Sequence, residues 1–397
     1  MKEQITIEEL LALEPGSYLL YDMRDRYSFD YGAIPGAEHK EQAAILEAAD
    51  SLPKDMPVII CCKSGLLSDA VAEELRTHGV QAMNLQGGYY GYLMQSLHFE
   101  ADKAKQVQHS IHKKFHKEIW SRFTAALDEY RLLQPGDKVA VCISGGKDSM
   151  LMALLFQELQ KHSRFPFEVV YLVMDPGYSP KNREVIERNA RTLGLPITVF
   201  ETDIFSSVLH IEKSPCYICA RMRRGHLYNK AKELGCNKIA LGHHFNDVIE
   251  TTVMSMFYGS QLQAMPPKLH STSFPGMTLI RPMYCIREED ILAWKRYNDL
   301  EFIQCACRFT ENCTMCDNGG GGSKRQETKI LLRRLKRDNP NIENSIFRSI
   351  HAVSLDTMPG YKSEGMEHSF LERFDRVEEE LKTKKASPER EAVREAD

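Results

Sequence analysis

Long apolar runs are missing from the 397-residue chain. No stretch approaches the ~20 consecutive apolar residues of a membrane-spanning helix, so no membrane association is expected. The N-terminal segment, MKEQITIEELLALEPG, is acidic and broken early by Pro15-Gly16, and it lacks the basic region and apolar core of a secretory signal. A cytoplasmic protein is therefore expected. Charge of one sign is not in excess either. Lys plus Arg number 51 against 55 Asp plus Glu, a net charge of −4, which excludes a uniformly basic nucleic-acid coat but allows local basic faces. Internal repeats are absent. Hydrophobic content of 43% rules out a wholly disordered chain. Single cores stop growing near ~250–300 residues, so two domains are expected.

Cysteine, by contrast, is abundant, with eleven residues. A reducing compartment disfavours disulfides, which leaves metal binding or thiol chemistry. Two Cys-x-x-Cys pairs (Cys216/Cys219 and Cys313/Cys316) and the step Cys61-Cys62 stand out. Cys142 lies inside an apolar run and reads as a small buried hydrophobe, and isolated Cys236 and Cys285 read the same way.

The periodicity predicts an α/β protein. Strands are expected at Tyr18–Met23, Pro57–Cys62 and Gln81–Leu85, with an amphipathic helix over Ser68–His78. The pattern restarts on a larger scale at Asp137–Ile143, Glu168–Asp175, Ile197–Glu201, Lys238–Gly242 and Thr278–Met283, separated by long helical stretches, as in a parallel sheet. The expected organisation is a first domain over residues 1–100 and a basic linker over 101–118. A larger domain over 119–362 and a charged tail over 363–397 follow.

Three segments carry chemistry. Ser144-Gly145-Gly146-Lys147-Asp148-Ser149 follows a strand and opens a helix. Glycines let the backbone turn sharply, free amides at a helix start face an anion, and Lys147 adds charge. The bland alternative is a Gly-rich turn. The spacing is too short for GxxxxGK[ST], and GxGxxG is absent. The loop resembles SGGxDS, the PP-loop of ATP pyrophosphatases. That resemblance implies a doubly wound fold, cleavage of ATP between its α- and β-phosphates, and adenylation of a substrate oxygen. It makes Ser144, Gly145, Gly146, Lys147, Asp148 and Ser149 phosphate-binding residues, and Asp148 and Asp175 candidates for Mg²⁺. Asp175 alone reads equally well as a strand-end turn cap.

Downstream stand the Cys216/Cys219 pair before Arg221-Met222-Arg223-Arg224-Gly225, then Gly242-His243-His244-Phe245-Asn246-Asp247, Phe257-Tyr258-Gly259 and Met265-Pro266-Pro267-Lys268-Leu269. With the PP-loop, and in this order, they resemble the tRNA 2-thiocytidine synthetase family over roughly residues 110–360. The resemblance implies a tRNA substrate, with thiolation of an anticodon-loop cytidine at C2. It also implies His243 and Asp247 near the nucleotide, dimers, and a 4Fe–4S cluster held by Cys216, Cys219 and a third cysteine. For the third ligand, the Cys-x-x-Cys spacing before Arg325-Gln326 favours Cys313 and the strand-like entry Glu301–Gln304 favours Cys305. A closed Cys₄ zinc site remains an alternative on spacing alone. Basic clusters at Lys324–Arg337, at Arg221–Arg224 and at Lys113, Lys114 and Lys117 read either as solvated faces or as a surface tracking RNA phosphates.

Near the start, Val58-Ile59-Ile60-Cys61-Cys62-Lys63-Ser64-Gly65-Leu66-Leu67-Ser68 is a strand, a compact loop and a helix start. Loop amides around the Cys62 sulfur can stabilise a thiolate or persulfide. With Asp22-Met23-Arg24 and Gly32–Ala37, this segment resembles a rhodanese domain over about residues 5–98. That makes Cys62 the sulfur-carrying nucleophile, loaded by a donor such as a cysteine desulfurase, and Cys61 the last strand residue. Ala33 stands where a His is common and Leu67 where an Arg is common, so the loop is less basic than the family's. The competing functions are a PP-loop ligase of the lysidine synthetase kind and a zinc-dependent RNA-binding protein without catalysis.

Overall fold

A computed structural model of the chain describes residues 2–208, 215–303 and 324–385. The chain divides into two compact units, residues 1–242 with 267–312, and residues 243–266 with 313–397. Among the described residues, no helix is long and apolar enough to cross a membrane.

The first unit contains two sheets. The smaller is built from β1 (Gln4–Ile5), β2 (Leu19–Asp22), β3 (Glu38–His39), β4 (Val58–Cys61) and β5 (Ala82–Leu85), all parallel, in the order β1-β5-β4-β2-β3. Central β4 alternates between two cores. Val58 and Ile60 pack with Val71 and Leu75, whereas Ile59 and Cys61 pack with Leu10, Leu20 and Leu85. A parallel strand covered on both faces reads as an unbroken apolar run, and VIIC is one.

The larger sheet holds β6 (Lys138–Ile143), β7 (Glu168–Asp175), β8 (Ile197–Glu201), β9 (Lys238–Ala240), β10 (Lys268–His270) and β11 (Thr278–Ile280). Its order is β10-β11-β9-β6-β7-β8, with only the edge strand β10 antiparallel. β6 is doubly buried like β4: Val139, Val141 and Ile143 meet Phe156 and Trp294, and Ala140 and Cys142 meet Tyr228 and Ile239 on the other face. The chain leaves β6 for β7 on one side and later returns to β9 on the other. The end of β6 is thus the topological switch point, where α/β sheets open a crevice for ligands.

Expected and observed strands agree closely, with Glu168–Asp175 and Ile197–Glu201 reproduced to the residue. The stretch expected as a linker is helical. The helix Gly88–Lys113 runs through it, followed by a π-helical turn, His116–Trp120. Val107, Ile111, Phe115 and Ile119, each four residues apart, are buried in the core of the larger sheet. One apolar stripe outweighs the polar composition around it.

The second unit is built on the helices Phe245–Gly259, Lys324–Asp338 and Ile342–Ser349, whose Phe245, Ile249, Val253, Leu332, Ile346 and Phe347 pack together. A hairpin of β12 (Gly360–Ser363) and β13 (Met366–Ser369) leads into the helix Phe370–Lys385. The region expected as a charged tail therefore contains a strand and a helix before residue 386.

Two glycines let loops of the smaller sheet pack backbone to backbone. Gly88 has φ +58°, and a Cβ there would lie 2.4 Å from the Cys62 carbonyl oxygen. A Cβ on Gly65 would lie 2.9 and 3.1 Å from the Gly87 and Gly88 amide nitrogens. Gly88→Ala should destabilise this half by roughly 2–5 kcal/mol, from the left-handed backbone plus the clash. Gly16→Ala, at φ +88° with nothing within 4 Å, should cost only about 1–2 kcal/mol. Urea midpoints of the two variants compare them, and equal losses would show that the loops part freely.

Candidate active site

Where doubly buried β4 ends, the chain turns through Cys62–Leu66 into the helix Leu67–Thr77. The Tyr89 and Tyr90 amides donate to the Cys62 and Lys63 carbonyls at 2.9 Å each, which ties the loop's oxygens outward. Its amides are left to face the sulfur. Gly65 N donates to Cys62 Sγ at 3.2 Å, Ser68 N at 3.4 Å, and the Ser68 hydroxyl lies 3.2 Å away. Burial pushes the Cys62 thiol up, but the Ser68 hydroxyl and the Ser68, Ser64 and Gly65 amides outweigh it and hold the thiol below its ordinary value. Cys61 points into the core instead, where burial and the Asp22 carboxylate push its thiol up. Asp22 and Arg24 form a buried ion pair at 2.7 Å; Arg24 also donates to the Gly32 carbonyl at 2.6 Å and lies 3.5 Å over the Tyr89 ring. Sequence reading missed Gly87-Gly88 and this clamp. The left-handed glycine pair just after β5 is the signal that could have found them.

At the end of β6 the phosphate loop turns through Gly145, φ +83°, into the helix Lys147–His162. A Cβ on Gly145 would lie 2.6 Å from both Ile186 and Ile303, so only glycine fits. A Cβ on Gly242, just beyond β9, would lie 3.2 Å from the Ser149 amide, so that segment packs directly on the loop. Ser149 closes the loop from within: its hydroxyl accepts from Ser144 N at 3.1 Å and donates to Gly146 O at 3.0 Å. Lys147 Nζ, at the first helical position, sits 3.0 Å from Asp148 and 3.3 Å from Glu288. Burial disfavours its charge, but the two carboxylates prevail and raise its proton affinity. The result is a loop with helix-start amides and a firmly protonated ammonium, an arrangement suited to phosphate oxygens.

Asp175 Oδ1 accepts from the Gly177 and Tyr178 amides at 2.8 and 2.7 Å, and Oδ2 meets Arg183 at 2.7 Å. This is the turn-capping arrangement. Burial raises its carboxyl, yet the Tyr178 amide, Arg183 and the Gly177 amide outweigh it and hold it below the usual range.

The residues expected near the nucleotide, His243 and Asp247, lie in the second unit. Asp247 Oδ2 accepts from His244 N at 3.1 Å and His244 Nδ1 from Asp247 N at 3.4 Å, a reciprocal cap on the helix Phe245–Gly259. Burial pushes the Asp247 carboxyl up, but His244, Arg325 and His243 hold it low. His243 is the residue leading into this cap. Buried Glu250 faces Arg325 at 3.5 Å and Lys329 at 3.7 Å, so part of the basic cluster is neutralised internally.

Of the cysteines expected to hold a cluster, Cys216 and Cys219 belong to the helix Pro215–Glu233, three residues apart in sequence, and Cys219 is buried. The side chain of Cys216, and all of Cys305 and Cys313, lie outside the described residues. Cys142, Cys236 and Cys285 are packing residues: burial pushes Cys142 up to about 12 and Cys285 up to about 11, and it raises Cys236 as well.

Residues 110–308 match the family described as PP-loop domain, and residues 6–95 match the rhodanese-like domain. A tRNA-cytidine(32) 2-sulfurtransferase of Citrifermentans bemidjiense is 36% identical over 239 residues, 59% of this chain and 90% of that protein. The protein of the same name from Bordetella pertussis is 34% identical over 247 residues, 60% of this chain and 73% of the relative. A U34 tRNA thiolase of Methanococcus maripaludis, solved with its 4Fe–4S cluster, shares 21% identity, covers 58% of this chain and 76% of that one, and has a TM-score of 0.46.

Because folding depresses the Asp175 carboxyl, its contribution to stability is present above the unfolded value, ~3.9, and is lost as pH falls through the folded value. Asp175→Asn should therefore cost on the order of 1–3 kcal/mol at neutral pH. The difference from wild type should shrink as pH drops below about 4. Urea midpoints across pH check this, and a pH-independent loss would count against the ionised role.

Proposed function

This chain belongs to the PP-loop tRNA 2-thiocytidine synthetase family, with a rhodanese-like domain fused on its N-terminal side, and from that membership we propose its reaction. It is an ATP-dependent tRNA sulfurtransferase. The base oxygen, O2 of an anticodon-loop cytidine, attacks the α-phosphorus of ATP and pyrophosphate leaves. A sulfur nucleophile then adds at C2, and AMP departs with the former base oxygen. The observation that carries this reading is the phosphate loop at the switch point, with Lys147 and the first-turn amides at one helix start.

Lys147 and those amides would take up charge on the leaving pyrophosphate. Gly145 and Gly146 let the backbone approach it, Ser144 offers a hydroxyl, and Ser149 keeps the loop closed. Mg²⁺ would be held by Asp148 with phosphate oxygens and would offset their charge; Asp175 stays with its turn and Arg183. His243 is assigned to the nucleotide, and Asp247 to holding the helix that follows. A 4Fe–4S cluster on Cys216, Cys219 and either Cys313 or Cys305 would supply an iron with an open position for sulfur. The basic residues of Lys324–Asp338 and of Arg221–Arg224 would meet tRNA phosphates.

Sulfur enters at Cys62. Its thiolate attacks the terminal sulfur of a donor persulfide, such as that of a cysteine desulfurase. The new bond makes a Cys62 persulfide, and the donor leaves as a thiolate.

Lys147→Ala should reduce AMP formation on tRNA by at least about 10²-fold. Iron content should be unchanged, because the lost charge faces phosphate rather than cysteine. Full AMP formation would overturn the phosphate-loop assignment.

Cys62→Ser should block tRNA thiolation driven by a persulfide donor at low concentration and leave thiolation by excess sulfide intact. Nucleoside mass spectrometry reads both arms. Equal loss under both sources would mean that the thiol is structural.

A further inference from the structure

The cradle around Cys62 contains one proton that two groups compete for. Ser68 Oγ lies 3.2 Å from Cys62 Sγ and 2.7 Å from Asn84 Oδ1. Both Ser68 and Asn84 are buried, at 0% and 3% exposure, so water does not stand in for either partner. A hydroxyl has a single hydrogen and can donate to one of them at a time. The orientation of the Asn84 amide is fixed independently. Its Nδ2 donates to the Gly65 carbonyl at 2.9 Å, and the flipped amide would set two oxygens against each other there. Oδ1 therefore faces Ser68. Asn84 is held in β5, paired with Ile60 of β4, so it does not move with the loop.

We propose that Asn84 is a positioning residue which, by competing for the Ser68 hydroxyl proton, sets how readily Cys62 gives up its own proton and so the pH at which it takes up sulfur. While Cys62 is a neutral thiol, the Ser68 proton lies on Asn84, and the Ser68 oxygen accepts the thiol S–H. When Cys62 ionises, the Ser68 hydroxyl turns to the sulfur and Asn84 Oδ1 loses its partner. Ionisation is thus supported by a donor that has to be taken from another acceptor. Neither role holds a group that reacts: Asn84 never touches the sulfur. Other charges around the loop belong to Asp22 and Arg24, paired with each other behind Cys61, to exposed Lys63 and to Asp69 at the helix start. The Tyr89 ring and the Cys61 thiol pack in the core beside the loop, and the hydrogen bonds to the sulfur come from the loop and Ser68.

The inference rests on Cys62 as sulfur acceptor, but its test does not depend on tRNA thiolation. The rate of iodoacetamide labelling at Cys62 is followed across pH by peptide mass spectrometry on the full chain. This gives the midpoint of thiolate formation. Asn84→Ala frees the Ser68 proton and should lower that midpoint by about half a pH unit, roughly threefold more thiolate below it. Asn84→Asp holds the proton more strongly and should raise it. In a Ser68→Ala background, Asn84→Ala should leave the midpoint where Ser68→Ala alone puts it. Shifts of the same sign in Asn84→Ala and Asn84→Asp, no shift in either, or an undiminished Asn84→Ala shift without the Ser68 hydroxyl would each overturn the proposal. A wild-type chain that forms no Cys62 persulfide with a donor would instead overturn the sulfur-carrier reading and leave the measured midpoints standing.

Discussion

Both chemical loops depend on one constraint: a parallel strand buried on both faces has to stop, and the chain then enters a helix whose first amides have no partner of their own. β4 ends at Cys61 and β6 at Ile143, each flanked by neighbouring strands and packed on two sides. The rigid strand fixes where the loop begins. Glycine at positive φ, Gly65 in one loop and Gly145 in the other, then turns the amides inward. What differs is the partner. In the first loop the amides close on a sulfur belonging to the chain itself. In the second they open, with Lys147, toward an anion that has to come from outside.

The strands and both loops were legible because they obey local rules. Unbroken apolar runs mark doubly buried strands, and glycine with a helix start marks an anion cradle. The helical structure within residues 101–118 was not legible from composition, since the lysines, histidines and glutamines there resemble a linker. The stripe Val107, Ile111, Phe115 and Ile119 is visible only when spacing is given precedence over polarity. Asp175 shows the opposite case, since its sequence setting reads equally well as a metal ligand or a turn cap. A carboxylate at a strand end beside a phosphate loop invites a metal, but whether its oxygens are already bonded depends on Arg183, eight residues away, and on the local turn. Asn84 was silent for the same reason: only the sheet brings it within 2.7 Å of Ser68, sixteen residues earlier.

Five of the described cysteines are sorted by the same physics. Cys61, Cys142, Cys236 and Cys285 have no cradle to offset burial, so their thiols are pushed up and they behave as small apolar side chains. Cys62 is nearly as buried, at 4% exposure, yet its thiol is held low. The difference is one residue of register. Cys61 is the last residue to alternate into the core, and Cys62 is the first to meet the loop amides.

Hydrogen bonds rather than fixed charge lower the Cys62 thiol, and this matters for a sulfur carrier. A thiolate stabilised very strongly is abundant but a poor nucleophile, and attack is fastest when the thiol titrates near ambient pH. A loop lined with arginine would stabilise the anion at every stage, including after sulfur has been taken up. Here the neighbouring side chains Leu66 and Leu67 carry no charge, and the strongest side-chain donor, Ser68, is shared with Asn84. The stabilisation therefore rests on hydrogen bonds and not on a neighbouring charge. Fusion in one chain would add to this, because tethering gives an effective concentration in the ~millimolar range. In the proposed carrier role, a cradle in which Ser68 is shared with Asn84 would suit a sulfur that is accepted and then released.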